Sequence, residues 1–401
     1  MNAEAHALRS LPLEPFDHPQ PGDAWDRSAL AGISDAGLVN AVAAAISPPK
    51  VAAPSSFVLH APLELLARAA LLPHVAAAGR ALARRRIAAI GVRYAHAGAE
   101  VRTPRAAFAD SDAALSALLA SLRDSDAGGA DAALCALLPH VPLWTLRAAL
   151  ADEVVPRLGA AAHVPILLAA LPRVADRIAG VGALLRAPLR TLAAAAGERL
   201  TWYRAPSAPV ADAQRTLIDA LTAPPHVHSS TLIAPTMAAV EHSGDALRLL
   251  GGAAQGLSPH QAERVLLRVA AQSMLQDDPA HAAYGWTHCL TLPQAVLAQA
   301  DVTADAPALV AVAATQVLGF RATLGKVALD ANMALHAPAG ARAELTILLA
   351  TRAAVHPDAH LAKYTLACFD AAARDVEAAP LFMAAAAHLG AWWDQHDSRP
   401  R

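Results

Sequence analysis

Lysine is almost absent from this chain: Lys50, Lys326 and Lys363 are its only lysines, and arginine supplies nearly all other cations. Lys363 lies three residues after His360 in an Ala- and Leu-rich helical pattern, so both side chains project from one face. A buried amine can lose its proton and attack a carbonyl carbon or CO2, whereas arginine stays charged. The alternative is a snorkelling lysine at the edge of the core.

Charged and aromatic residues are also few, at 16% and 4% of the chain, whereas hydrophobic residues make up 55%. This composition excludes a disordered chain and predicts a globular protein with a large core. The surplus of alanine, leucine and arginine favours helices, and valine and isoleucine are too sparse for many strands. No long stretch alternates between apolar and polar residues, so we expect no sheet.

Long hydrophobic runs and basic clusters are missing as well. The nearest approach to a membrane span, Ala308 to Phe320, is interrupted by Thr315 and Gln316, so a buried helix is expected there. The N-terminus lacks the apolar segment of a secretory signal. The formal net charge is −2, and the run Arg84 to Arg86 is typical of a solvated helix face. We therefore expect neither a membrane nor a nucleic-acid partner.

Cysteine is rare, and Cys135, Cys289 and Cys368 have no CxxC spacing. We interpret them as free thiols, which predicts a reducing, cytoplasmic location. No glycine-rich phosphate motif is present, so NADPH stays open as a cofactor without a motif to support it. The oligomeric state is not indicated by any pattern.

The remaining pattern divides the chain into a short arm and a long helical region. Residues 1–34 carry four prolines among polar residues, which predicts an extended arm. Over residues 35–401, helical spacing predicts an all-α fold, a single large domain of stacked helical hairpins similar to a HEAT-like or α-solenoid bundle. The predicted helices cover residues 36–46, 60–74, 75–97, 111–122, 130–138, 139–153, 163–178, 181–196, 210–221, 231–241, 244–254, 258–275, 279–299, 305–330, 340–355, 358–374 and 379–393.

Several predicted helices open on a histidine that small or apolar residues follow. Stacked units would bring such histidines to one region, and several imidazoles in a dry site need a metal or many hydrogen bonds. Imidazole together with an oxygen ligand suits iron, manganese or zinc. With 18 histidines in the chain, some matches to the pattern also arise by chance. The histidines that share the pattern are His60, His163, His228, His288 and His360.

His288 and Lys363 strengthen the prediction of a metal site. Around His288, a glycine, a proline and two of the few aromatic residues crowd one short helix, as in the wall of a site. Lys363 beside imidazoles can take up CO2 as a carbamate, whose oxygens bind hard or borderline metals. That reaction requires a pKa well below ~10.4, through burial and a neighbouring cation. Lys363 is therefore predicted to be both a metal ligand and a catalytic residue.

Three motifs resemble the questin oxidase-like family. They are Tyr-Gly-Trp-Thr-His-Cys-Leu-Thr-Leu-Pro-Gln-Ala around His288, Asp-Ala-His-Leu-Ala-Lys-Tyr-Thr-Leu-Ala around His360 and Lys363, and Leu-His-Ala-Pro-Leu-Glu-Leu-Leu-Ala around His60. The resemblance covers most of the chain from about residue 35 and is sharpest in the last third. It implies an α-helical oxygenase with mononuclear non-heme Fe(II), held by histidines and a carboxylated lysine. Its substrates would be O2 and a small polyketide-type aromatic, such as an anthraquinone, whose ring is oxidised or cleaved.

The same resemblance implies a set of site residues, although the family's histidine-rich helix before His60 has no counterpart here. Tyr284, Trp286 and Tyr364 are candidates for substrate stacking, or else ordinary core aromatics. The implied metal ligands are His288, His360, Lys363 and His60, with His228 as a further histidine and His163 and His226 as its alternatives.

Two other functions fit parts of the pattern. A helical-repeat scaffold that binds a partner protein on a concave face needs only the repeat and no chemistry. A zinc-dependent hydrolase with a bridging carbamate would use the same lysine, but the missing strand pattern disfavours the common barrel hosts of that chemistry. The metal content of the purified protein separates the oxygenase from the scaffold.

Overall fold

The computed structural model describes residues 3–11, 30, 32–51, 57–104, 106–223, 232–303, 305–335 and 342–397. Within these ranges every regular element is a helix, so the prediction of an all-α fold is confirmed. The only strand-like pairings there are two isolated bridges, Lys50 with Glu100 and Arg157 with Arg199. The α-helices are α1 (Ala3–Arg9), α2 (Asp35–Ile46), α3 (Phe57–Leu71), α4 (Ala77–Ala95), α5 (Ser111–Arg123), α6 (Ala127–Leu137), α7 (Leu143–Val154), α8 (His163–Ala170), α9 (Arg186–Ala194), α10 (Ala213–Thr222), α11 (Ile233–His242), α12 (Asp245–Gly256), α13 (Pro259–Gln276), α14 (Thr287–Leu297), α15 (Ala306–Leu324), α16 (Arg342–Val355), α17 (Ala359–Arg374) and α18 (Ala379–Asp397).

Many of these helices start where short polar side chains cap them. Ser34 accepts a hydrogen bond from the backbone N–H of Gly37 at the start of α2, and Asp110 accepts one from Ala113 at the start of α5. Ser258 and Gln261 form a full capping box at α13. Such caps satisfy the N–H groups that the first helical turn leaves unpaired.

The helices form two units that make most of their contacts internally. Unit 1 contains residues 1–146, 170–196 and 350–363. In this unit, α2 packs on α1 and α4, α3 packs on α4, and α6 packs on α5 and α9. Fully buried aliphatic side chains, such as Leu38 and Ile87, fill the space between these helices. Burial of these apolar faces supplies most of their stability, because isolated helices of this length are marginal in water.

Unit 2 contains residues 147–169, 197–349 and 364–401. Its helix α15 packs against α11, α12, α13 and α14. Among the described helices, α15 alone is long and apolar enough to cross a membrane, but 83% of its apolar window is buried inside the protein. Core helices pass the same length and composition test, and the burial fits the buried helix predicted over Ala308 to Phe320.

The predicted arm is partly helical. Ala3 to Arg9 forms α1 and buries Ala5 and Leu8 against α2 and α4, so the prediction of an extended conformation is wrong for this segment. Alanine and leucine three residues apart share one helix face, and that face is apolar enough to pack. Residues 12–29 of the predicted arm lie outside the described residues.

Two predicted helices are interrupted. The helix predicted over residues 163–178 ends at Ala170, because Pro172 follows in a 3-10 turn and cannot supply a helical N–H. The helix predicted over 279–299 begins as a 3-10 turn, Pro279–His281, and a π-helical turn, Ala282–Trp286, before α14 starts. The second interruption lies directly before His288, a candidate ligand.

Candidate metal site

The first part of the site is one face of α3. His60, Glu64 and Arg68 follow one another at intervals of four residues, so their side chains share this face. His60 is half-buried. Glu64 and Arg68 form an ion pair with 2.6 Å between Oε1 and Nη2, and their side chains are only 8% and 1% exposed. The helix therefore presents a histidine next to a neutralised, buried charge pair.

The start of α17 orients His360. Asp358 Oδ1 accepts a hydrogen bond from the backbone N–H of His360 at 2.7 Å and lies 3.0 Å from Nδ1 of its ring. When Nδ1–H donates to this carboxylate, the lone pair lies on Nε2, which is the arrangement found in carboxylate–histidine–metal triads. Burial lowers the pKa of His360 below 6.5, and the nearby Lys363 lowers it further, although Asp358 acts in the opposite direction. At neutral pH the ring is therefore neutral, as metal binding requires.

His60 and His360 come together as the sequence predicts. Their ring centroids are 5.3 Å apart, with the rings edge to face. Lys363 is half-buried one turn after His360 on the same helix face. Burial lowers the pKa of Lys363 from 10.5 to about 8, although Asp358 and Glu64 partly oppose that shift. The amine is therefore still mostly protonated at pH 7, but about a tenth of it is uncharged, far more than for a free lysine, and the uncharged form is the one that reacts with CO2.

His288, at the start of α14, is oriented by a π-helical turn. Its Nδ1 lies 2.5 Å from the carbonyl oxygen of Tyr284, so Nδ1–H donates to the backbone and the lone pair lies on Nε2. The side chain is buried. Gly285 makes this turn feasible, because a Cβ there would collide with Leu324. Single π-helical turns are common at functional sites, since they redirect the side chains that follow.

His163 packs on His288 within unit 2. The ring centroids are 5.3 Å apart and edge to face. His163 follows three alanines, Ala160 to Ala162, whose φ angles of 54°, 50° and 54° are left-handed, and its Nδ1 lies 3.1 Å from the carbonyl oxygen of Ala160. A left-handed alanine costs about 1–2 kcal/mol, and such strain is often found at functional sites. His226 and His228, the other candidates for this role, lie outside the described residues.

The candidate substrate-binding aromatics occupy different environments. Tyr284 is 55% exposed. Trp286 is fully buried, and its Nε1–H donates to the carbonyl oxygen of Asp278 at 3.1 Å. Tyr364 is also fully buried, and burial raises its pKa well above 10. Of the three, only Tyr284 offers ring surface to a molecule arriving from solvent, and substrate stacking on any of them stays a prediction.

The cysteines take no part in disulfides, as predicted. Cys135, Cys289 and Cys368 are all free. Burial raises the pKa of the Cys289 thiol to about 12, and it raises that of Cys368 as well. These two thiols therefore stay protonated, which makes them poor nucleophiles and poor metal ligands.

Sequence reasoning missed the groups that hold the histidines in place. Asp358 could have been identified from the sequence, because it lies two residues before His360 and aspartate at the start of a helix is a typical cap. The carbonyl groups of Ala160 and Tyr284 could not be found, because the left-handed and π-helical turns that expose them have no simple sequence signal. The contacts of Arg68 with residues near position 355 join segments far apart in the chain.

Comparisons with known proteins found no relative of this chain. No family model matches the chain, no curated protein is similar to it, and no solved structure matches it. The resemblance to the questin oxidase-like family stays a prediction from its three motifs.

Proposed function

We propose that this chain is a metal-dependent oxidoreductase whose ion is bound by His60, His288, His360 and a carboxylated Lys363. The observation that carries the proposal lies within unit 1: the rings of His60 and His360 are edge to face with centroids 5.3 Å apart, and Lys363, whose pKa burial lowers to about 8, follows His360 by one turn on the same helix face. The resemblance adds His288, whose ring is oriented by the hydrogen bond from its Nδ1–H to the carbonyl oxygen of Tyr284.

For the fourth histidine, His228 and its alternatives His226 and His163 stay open, and of these only His163 lies within the described residues. Its support is the ring contact with His288 and the strained turn that precedes it. Backbone strain of this kind persists only where the surrounding structure compensates for it, and it is common at functional sites. The backbone carbonyl on Nδ1 also leaves Nε2 as the atom for a metal.

Lys363 would contribute the anionic oxygen ligand. Its neutral Nζ attacks the carbon of CO2, an N–C bond forms, one C=O electron pair moves to oxygen, and a proton leaves to solvent. The lowered pKa of Lys363 favours this reaction because the attacking amine must be uncharged. Neutral imidazoles with a single carboxylate-like oxygen suit Fe(II), Mn(II) or Zn(II), and the resemblance favours Fe(II).

When bound, an iron ion would supply O2 activation and polarisation of a substrate oxygen. Residues next to the proposed ligands would hold the histidine rings in the tautomer that binds a metal. Asp358 keeps His360 in one tautomer, and the Tyr284 carbonyl does the same for His288. The proposed substrate is a small polyketide-type aromatic, as the resemblance implies, and a cytoplasmic location stays a prediction from the free thiols.

Metal analysis tests the proposal directly. Protein purified without chelators should carry close to one equivalent of iron, manganese or zinc by inductively coupled plasma mass spectrometry. His288→Ala and His360→Ala should lose the metal while circular dichroism shows unchanged helix content. His388→Ala is a matched control, because His388 is half-buried in α18 and does not belong to the ligand group.

Activity is tested after reconstitution with Fe(II) under anaerobic conditions. Addition of O2 and a hydroxyanthraquinone should give oxygen consumption that Lys363→Ala abolishes. Wild-type protein without stoichiometric metal, even after reconstitution, would contradict the proposal and leave the non-catalytic scaffold as the better explanation.

A further inference from the structure

One buried arginine connects the helix of His60 to the loop before His360. The Arg68 side chain is 1% exposed, and its Nε–H donates to Glu64 at 2.7 Å. Nη1 donates to the carbonyl oxygen of Ala354 at 2.8 Å, and Nη2 donates to those of His356 at 2.9 Å and Pro357 at 3.3 Å. A single planar guanidinium thus satisfies the last carbonyls of α16 and the loop that leads to α17.

The loop passes this constraint on to His360. The backbone N–H of Asp358 donates to Nδ1 of His356 at 3.0 Å. Asp358 in turn accepts hydrogen bonds from the backbone and the ring of His360. From the other side, Nε of Arg86 on α4 donates to the carbonyl oxygen of Val355 at 3.0 Å. The position of His360 is therefore coupled to the position of the Arg68 guanidinium by consecutive hydrogen bonds.

His60 lies two helical turns before Arg68 on the same face of α3. We infer that Arg68 is a positioning residue, which sets the spacing between His60 and His360 and thereby the geometry of the metal site. The inference rests on the proposed metal-binding function. The hydrogen bonds of Arg68 go to Glu64 on α3 and to the backbone of residues 354–357, so its effect is transmitted through α3 on one side and through the 354–358 loop on the other.

The expected effect follows from the tolerance of metal sites. Ligand distances are held to within about 0.2 Å, and loss of an outer hydrogen-bonding partner typically lowers metal affinity by about 10–100-fold. Arg68→Lys keeps the cation but loses the planar fork, so it cannot hold the carboxylate and the loop carbonyls in the same geometry. We expect Arg68→Lys and Arg68→Met both to weaken Co(II) binding at least tenfold and to change the Co(II) absorption spectrum.

Arg186→Met provides a matched control. The Asp131 side chain is fully buried, and Arg186 donates to its two carboxylate oxygens at 2.8 and 3.0 Å and to the hydroxyl of Thr103. Its substitution removes a buried arginine network whose partners lie on segments that carry no proposed ligand. This variant should lose stability but keep the wild-type Co(II) affinity and spectrum.

A double variant separates positioning from a general loss of structure. In the His60→Ala background, Arg68→Lys should cause little further loss of Co(II) affinity, because the spacing that it sets no longer matters. The inference is overturned if either Arg68 variant binds Co(II) within threefold of wild type with an unchanged spectrum, or if the losses simply add. If Arg68→Met does not fold, Arg68→Lys decides the question. A wild-type chain that binds no Co(II) would instead overturn the proposed function.

Discussion

Replacing Lys363 should stabilise the metal-free protein while it abolishes metal binding. In the folded chain, burial lowers the pKa of Lys363 from 10.5 to about 8. The fold therefore holds a charged amine at neutral pH at a cost that the unfolded chain does not carry. A shift of this size corresponds to about 3 kcal/mol as an upper value, since the half-buried side chain keeps some contact with water.

The pH dependence of this contribution has a definite sign. Below pH 8 the lysine is protonated in both states, so the fold carries the full penalty. Between pH 8 and 10.5 the unfolded chain binds one more proton than the folded chain, and stability rises with pH. Above pH 10.5 the penalty is gone. Lys363→Met should therefore be more stable than wild type at pH 7 by up to about 3 kcal/mol, and the difference should vanish near pH 10.5.

Urea unfolding followed by circular dichroism, in CO2-free buffer that contains a chelator, measures the difference in free energy of unfolding between Lys363→Met and wild type at each pH. Lys326→Met is the matched control, because Lys326 is exposed and its pKa is raised by Asp278, so its removal should not stabilise the protein. Lys363→Met and wild type of equal stability at pH 7, or a difference that does not change with pH, would refute the assignment of a destabilised amine at this position.

The same residue gives a spectroscopic test of the carbamate. Wild-type protein equilibrated with ¹³C-bicarbonate and metal should show a carbamate carbon signal by NMR. Lys363→Arg keeps a cation but cannot form a carbamate, so it should lose both the signal and the metal, as fully as Lys363→Met does. Metal retained at the wild-type level in Lys363→Arg would show that the lysine is only structural.

Three further substitutions test the parts that orient the histidines. Asp358→Asn should weaken metal binding about 10–100-fold in isothermal titration, because His360 loses its charged partner, and an unchanged affinity would contradict that role. Gly285→Ala should lower stability by about 1–3 kcal/mol through the collision with Leu324 and reduce metal content, whereas Gly197→Ala, with open space at its Cβ, should do neither. Ala161→Gly should raise the free energy of unfolding by about 1 kcal/mol, since glycine adopts its φ of 50° without strain, and a destabilised variant would refute the strain.

Local sequence patterns predicted the helices because helix formation depends on neighbours in the chain. Helical spacing placed Lys363 on the face of His360, and the aromatic and glycine residues around His288 marked a special segment. The contact between His60 and His360 depended instead on the resemblance and the histidine pattern, since their separation along the chain carries no geometric information. The rings do pack together in the structure.

Backbone conformations that oppose the intrinsic preference of their residues were not predicted from the sequence. Alanine strongly favours a right-handed helix, so three left-handed alanines before His163 contradict the local signal. The network around Arg68 was not predicted for another reason: its carbonyl acceptors at Ala354, His356 and Pro357 lie 286 to 289 residues away in the chain. Pro172 did carry a signal for the end of α8, and the prediction of a longer helix ignored it.

Three of the candidate histidines share a local hydrogen bond to Nδ1, so local contacts orient each ring and distant contacts set the spacing between rings. In His163, His288 and His360, Nδ1 bonds an acceptor only two to four residues earlier in the chain. His396 makes the same kind of local bond, with the carbonyl of Trp392, and it is not one of the candidate ligands, so local anchoring alone does not make a ligand. Each helix start therefore sets the tautomer of its own histidine, and only the spacing between helices is left to distant contacts such as those of Arg68. Substitutions of local acceptors should thus alter single ligands, whereas substitution of Arg68 should alter how two ligands act together.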